Sequence, residues 1–221
     1  MTDLAANLAA VRERIARAAD RAHRDPSQIL LLAVTKVFPA EILRDAYALG
    51  LREFGENYVQ EFEGKAPLVA DLAGCRYHLI GHLQSNKSSR AAELFRTIQT
   101  VDTAKLAKRL DSTGRTLDVM IEVRLGGEEQ KSGVDPSALG GLVTAIRGCA
   151  NLQLRGLMTM PPWSEDPEAP RPIFRRLREL AQEHGLSELS MGMSHDLETA
   201  IEEGSTCVRV GTALFGKRKK A

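Results

Sequence analysis

The chain has 221 residues, room for one large α/β domain or two small ones, and its 30 basic and 29 acidic residues leave a net charge of +1. That balance gives no reason to expect nucleic acid or a membrane as partner, and 43% hydrophobic with 27% charged residues is ordinary for a soluble globular protein. Cys75, Cys149 and Cys207 are too widely spaced for a metal site and odd in number for a disulfide framework, which points to a reducing cytosol.

The N-terminus, Met1-Thr2-Asp3-Leu4, lacks the basic and apolar regions of a signal peptide, and no apolar segment approaches the roughly 20 residues of a membrane span. Leu4, Leu8, Val11, Ile15 and Ala18/Ala19 recur at helical spacing with Arg12, Glu13, Arg14 and Arg17 between them, an amphipathic helix ahead of the first strand. Ile29 to Thr35 is an uncharged apolar run of strand length and predicts a fully buried strand. Lys36 follows directly. Behind such a strand a lysine is either at the solvent rim or aimed into a pocket, where desolvation would make its amine a nucleophile for aldehydes.

From there strand and helix alternate. Helices are expected over about 40–49, from Asn57 toward Ala70, from Ser85 or Asn86 to Phe95, from Asp102-Thr103 onward, around 136–149, over about 171–184 and over 195–203. Strands are expected at 53–55, 76–80, 97–101, 118–123, 152–158, 188–191 and 207–210. Pro161 to Pro167 is the most proline-rich loop, and Lys217-Arg218-Lys219-Lys220 reads as a frayed basic end or a docking patch. Eight βα beats without a composition break predict a single (β/α)8 TIM barrel spanning 1–221, with an additional N-terminal helix over one end or against the outer ring. The competing open doubly wound sheet would carry a glycine-rich turn after strand one, where Thr35-Lys36-Val37-Phe38 stands instead.

In a barrel the C-terminal strand ends converge on one face. They bring there Lys36; Glu56 and Asn57; Gly81, His82, Gln84 and Ser85; Lys131, Ser132 and Gly133; Met158, Thr159 and Met160; Gly192, Met193 and Ser194; and Arg209, Gly211 and Thr212. The loops after strands seven and eight supply glycine, a hydroxyl and a helix start, the makings of a phosphate cradle, although Ser194 alone also reads as an N-cap and Gly211 as a bare turn. Ser194-His195-Asp196 is not a catalytic triad, because consecutive residues point apart. His195 reads as an exposed first-turn residue, Asp196 as an acid suited to the helix dipole and His78 as a packed strand residue; His82 lines the site or does not. Arg209, between Val208 and Val210, points either outward or into the mouth. A lysine nucleophile and a phosphate cradle on one mouth make pyridoxal 5′-phosphate the economical ligand, with a Schiff base on Lys36 and Arg209 facing the ring nitrogen. An arginine only donates, so the ring nitrogen would stay unprotonated and the electron sink would be weak.

Ala33–Lys36, Phe54–Glu61, His78–Lys87, Lys131–Gly133, Arg155–Met158, Leu189–Ser194 and Val208–Gly216 resemble, in order and over nearly the whole chain, the YggS/PLPBP family of pyridoxal phosphate homeostasis proteins. The resemblance implies a barrel like the N-terminal domain of bacterial alanine racemase. It implies the cofactor on Lys36, with contacts from Asn57, Ser194, Arg209, Gly211 and Thr212, and a role in carrying or buffering the cofactor without established turnover. Two departures, Thr35 where the family often has serine and His195 where an acid often follows, bear on fine tuning only. The candidate cofactor-binding set is therefore Lys36, Asn57, His82, Met193, Ser194, Arg209, Gly211 and Thr212. Partners would be the cofactor and apoenzymes that need it; a bare barrel points to a cytoplasmic monomer. The rival reading is an amino-acid racemase. It needs an acid or base on each face of the substrate carbon, and with no second domain in the chain His82 would have to serve. A pure protein-binding module would leave the convergent strand ends unexplained.

Overall fold

The computed structural model describes residues 3–126 and 132–216; Lys131 and the basic run 217–220 lie outside the described residues. Eight parallel strands pair in chain order and close on themselves: β1 (Leu30–Val34), β2 (Glu53–Glu56), β3 (Arg76–Leu79), β4 (Thr97–Val101), β5 (Leu117–Glu122), β6 (Leu152–Met158), β7 (Glu188–Met193) and β8 (Cys207–Val210). Closure is made by β8 against β1, with Leu30 opposite Cys207 and Leu32 opposite Arg209. The barrel expectation holds, and the open sheet is excluded.

Nine described helices surround it: α1 (Leu4–Arg21), α2 (Ala40–Ala48), α3 (Val59–Lys65), α4 (Ser88–Leu94), α5 (Ala104–Asp111), α6 (Leu139–Arg147), α7 (Arg171–Glu183), α8 (Leu197–Glu202) and α9 (Thr212–Phe215). Three end sooner or start later than the sequence suggests. Pro67 lacks the N–H a longer α3 would need, and the chain continues as a 3-10 turn over Ala66–Val69. Ser85–Lys87 and Pro136–Ala138 are likewise 3-10 turns that lead into α4 and α6. The additional helix, α1, takes the outer-ring position. Its buried stripe of Leu8, Val11, Ile15, Ala18 and Ala19 joins the main core. Its polar side reaches α8, through the two-pronged Arg14–Glu198 pair (2.6 and 2.7 Å) and Arg21–Glu202 (2.8 Å), while Asn7 donates to the Leu214 carbonyl of α9 (2.8 Å).

Strand alternation divides the core. Ala33, Phe54, Leu79, Ile98, Leu189, Met191, Val208 and Val210 belong to the large cluster between barrel and helices. Leu32, Val34, Ile80 and Cys207 form a small apolar cluster of their own. Arg209 shares the parity of Cys207, which turns it away from the Val208 and Val210 side. Lys36 continues the parity of Leu32 and Val34 beyond the end of β1.

Glu203, 4% exposed, collects the guanidinium groups of Arg171 (3.2 Å), Arg175 (3.1 Å) and Arg178 (3.1 Å) where α7 meets the end of α8. Burial opposes its charge, and the bonds from Arg175 and Arg171 outweigh that, so its carboxyl lies below the usual range. A carboxyl lowered in the folded state stabilises above its unfolded pKa, and that stability is lost as pH falls through the folded value. Glu203→Gln is expected to lower the unfolding free energy by about 1–3 kcal/mol at neutral pH. In urea titrations the gap to wild type should narrow once the pH drops below about 4.3.

Candidate functional site

The C-terminal mouth of the barrel holds a cavity of about 620 Å³. Lys36, Asn57, Met193, Ser194, Arg209, Gly211 and Thr212 all line it, from β1, β2, β7 and β8 and the loops that follow them. Val34, Ile80 and Met160 supply apolar wall, and Pro162 and Trp163 from the proline-rich loop form one side. One member of the candidate set falls elsewhere. His82 is not among the lining residues; it is exposed, with Nδ1 3.8 Å from Asp102 Oδ2. The tight approach of Gly81, where a Cβ would sit 2.2 Å from the Asn57 carbonyl oxygen, belongs to the bend that carries the chain away there. Glu56 also leaves the mouth. It shares the parity of Phe54 and faces the helix layer.

That outward turn gives Glu56 a different task. Its Oε1 accepts from Thr35 Oγ1 (2.8 Å) and from Lys65 Nζ (2.9 Å), and Glu56 is wholly buried. Lys65 Nζ also donates to the Thr35 carbonyl (2.9 Å) and pairs with Glu61 (2.6 Å), whose Oε1 accepts the Val37 N–H. Val37 stands at φ +68°, a left-handed conformation that is strained for a β-branched residue. Lys36 is thus flanked by two pinned peptide units, and the turn that presents it is held from outside the barrel.

Beside this turn, since β8 pairs with β1, the loops after β7 and β8 are tied together: Ser194 Oγ accepts the Ala213 N–H (3.2 Å). Among the described residues, the N–H groups of Ser194, His195, Gly211 and Thr212 find no protein acceptor. Asp196 stands at the N-terminus of α8, as expected of an acid suited to the helix dipole, and is buried there. Its Oδ1 accepts the Met193 N–H (2.6 Å), and burial pushes its carboxyl up. His195 is exposed on the cavity rim, with Nε2 2.9 Å from the Glu165 carbonyl oxygen of the proline-rich loop.

Arg209, 3% exposed, resolves inward. Nη1 donates to Ser190 Oγ (2.7 Å) and Nη2 to the Thr159 carbonyl (2.9 Å). Burial works against its charge, while Asp196 and Glu122 nearby support it. Glu122, 1% exposed, accepts from Ser132 Oγ (2.9 Å), and burial raises its pKa.

The donor set is matched to a phosphorylated aldehyde: an amine at Lys36, a cradle of N–H groups and a hydroxyl on the neighbouring loops, and a guanidinium, all lining one cavity. Sequence reasoning left out the apolar wall and the clamp on the Lys36 turn. Glu61 and Lys65 stand four residues apart, a spacing that ordinarily marks an exposed helix pair.

The family model for the N-terminal domain of alanine racemase matches residues 6–219. Fold and match together make the chain a barrel of that class. The alanine racemase of Corynebacterium glutamicum shares the fold with a TM-score of 0.68 at 21% identity over 96% of this chain and 61% of the racemase. Nearer relatives are of barrel length. The pyridoxal phosphate homeostasis proteins of Pseudomonas aeruginosa and Aquifex aeolicus are 47% and 45% identical, covering 99% and 96% of this chain and 97% of each relative. PipY of Synechococcus elongatus PCC7942, whose structure is solved with PLP bound, superposes with a TM-score of 0.85 at 38% identity, over 97% of this chain and all of PipY. The chain belongs to the family of pyridoxal phosphate homeostasis proteins.

Removing Lys65 would strand the Glu56 carboxylate without a counter-charge. Lys65→Met is expected to cost about 3–5 kcal/mol in chemical denaturation, and adding Glu56→Gln should recover part of it. If the double variant were no more stable than Lys65→Met alone, the clamp would not be the source of the loss.

Proposed function

We propose that the chain binds pyridoxal 5′-phosphate at the C-terminal mouth and serves intracellular homeostasis of that cofactor as a cytoplasmic, one-domain carrier or buffer. The observation that carries the reading is the convergence of Lys36, the Ser194/Gly211/Thr212 cradle and the inward Arg209 on one cavity. Two named relationships support it: curated relatives at 45–47% identity are pyridoxal phosphate homeostasis proteins, and PipY at 38% identity holds PLP in its solved structure. When bound, the cofactor supplies a reactive aldehyde and an electron-withdrawing ring.

The residues divide the tasks. Lys36, presented by its clamped turn, offers its amine to the aldehyde. Ser194, Gly211 and Thr212 receive the phosphate with a hydroxyl and backbone N–H groups. Asn57 and Met193 line the same cavity and would contact the bound cofactor, and Val34 and Ile80 would give it an apolar wall. Arg209 would face the ring nitrogen and could only donate to it, so the nitrogen would keep its lone pair for that bond. This arrangement holds the cofactor but weakly activates carbon acids bound to it. Such a protein would give its cargo to apoenzymes that need it, and acts as a monomer.

The racemase reading required a base inside the barrel, and its candidate, His82, does not line the cavity. Borohydride reduction of the loaded protein, followed by peptide mass mapping, is expected to fix the cofactor on Lys36 in wild type and to leave Lys36→Ala unlabelled. Failure of the wild type to take up the cofactor would overturn the proposal. α-Carbon hydrogen exchange on a panel of amino acids should be negligible, and exchange abolished by His82→Ala would favour the racemase.

A further inference from the structure

A row of polar side chains crosses the barrel interior from the cavity to the opposite mouth. Arg209 Nη1 meets Ser190 Oγ (2.7 Å), Ser190 Oγ meets Gln99 Oε1 (2.6 Å), Gln99 Nε2 meets His78 Nδ1 (3.1 Å) and His78 Nε2 meets Glu53 Oε2 (2.7 Å). Arg76 closes the row by donating to Glu53 Oε1. Glu53, His78, Gln99, Ser190 and Arg209 are all buried. Barrel interiors are ordinarily filled by bulky branched aliphatic layers, so this row is a departure from the fold's usual packing. Buried polar groups are tolerated when each is bonded, and here each member is.

The row has a definite direction. At one end Arg209 can only donate. At the other, burial opposes the charge of Glu53, but the bonds from His78 and Arg76 outweigh it and hold its carboxyl below the usual range. Glu53 is therefore an acceptor, and a neutral His78 must carry its proton on Nε2. Its Nδ1 lone pair then needs a donor, which Gln99 supplies from Nε2. The amide oxygen of Gln99 consequently faces Ser190 and takes the hydroxyl proton, and the Ser190 lone pairs are left for Arg209. Every bond from Arg209 to Glu53 donates the same way. A second cavity of about 600 Å³ lies at the far mouth, with Glu53, Arg76, His78 and Gln99 in its lining. The titratable groups near the row are Arg76, Glu188, Asp118 and Arg155 around Glu53 and His78, and Cys207, Asp196 and Glu122 around Arg209.

We infer that Ser190 and Gln99 are positioning residues for Arg209, and that the same row fixes a His78 ring proton on Nε2, facing Glu53, at the opposite mouth of the barrel. This rests on Arg209 facing the cofactor's ring nitrogen, as proposed above, for its effect on the cofactor; the tautomer does not depend on that reading. Ser190 takes Nη1 and Thr159 takes Nη2, which together set the plane of the guanidinium. If Ser190 is lost, Nη1 has no acceptor and the plane is free to tilt.

The test has two arms. In ligand-free protein, long-range ¹⁵N–¹H correlation spectra of the histidine rings should show His78 with its proton on Nε2 in the neutral form; the Nδ1–H tautomer would overturn the row's direction. In cofactor-loaded protein, Ser190→Ala should bind the cofactor about tenfold more weakly and shift the pH at which the bound chromophore changes. Ser190→Thr, which keeps the hydroxyl, should restore the wild-type profile. Gln99→Glu is the second variant should alanine at 190 disturb folding: a carboxylate accepts from Ser190 but cannot donate to Nδ1, so His78 should become doubly protonated and the chromophore profile should move. Loaded Ser190→Ala and Gln99→Glu proteins with the wild-type affinity and profile would overturn the positioning role. Should the wild type fail to load at all, the cofactor reading falls while the tautomer arm still decides the row.

Discussion

A guanidinium that cannot give up its proton sits almost wholly buried at the mouth of this barrel, and the rest of the site is arranged around it. Arg209 needs acceptors, and the fold supplies them from two other strand regions: the Thr159 carbonyl beyond β6 and the Ser190 hydroxyl of β7. Holding a charge at 3% exposure is costly unless each bond is in place, so the inner face of the barrel is built polar where a packed aliphatic layer would be expected. What is gained is a fixed donor aimed at one point of the cavity.

The lysine beyond the neighbouring strand is held by a different device. Lys36 lies in a turn whose strain, at Val37, is offset by a buried carboxylate–ammonium cluster on the helix side of β1 and β2. Neither Glu56, Glu61 nor Lys65 lines the cavity. The site thus has a lysine positioned from outside the barrel and an arginine positioned through its interior, with the phosphate cradle contributed by two loops that Ser194 ties together. A mouth held in this way suits the proposed retention of a cofactor, whose reactivity a donor at its ring nitrogen would temper.

How much of this could be read beforehand differs from residue to residue. The eight βα beats gave the barrel, because strand length and helix period are local signals. Lys36, Ser194, Gly211 and Thr212 were legible because strand order alone places them on one face. The direction of Arg209 was open from the strand alone, since both faces of a parallel strand are buried and Val208-Arg209-Val210 looks the same either way round; its place in the candidate set came from its fit to the ring nitrogen and from the resemblance. His82 was expected at the mouth from its position after β3, but the bend at Gly81 leaves it at the surface. Lys65 was indistinguishable from a solvent-facing helix lysine. The row from Arg209 to Glu53 joins β8, β7, β4, β3 and β2, and no sequence spacing reports a contact between Gln99 and Ser190.

In the proposed complex Arg209 would set the protonation state of the cofactor's ring nitrogen. Solution or solid-state ¹⁵N spectra of the protein loaded with cofactor labelled at the ring nitrogen measure it directly. The prediction is an unprotonated nitrogen accepting a hydrogen bond in the wild type, and a protonated nitrogen when Arg209→Glu places an acceptor there. A protonated ring nitrogen in the wild type would contradict the account.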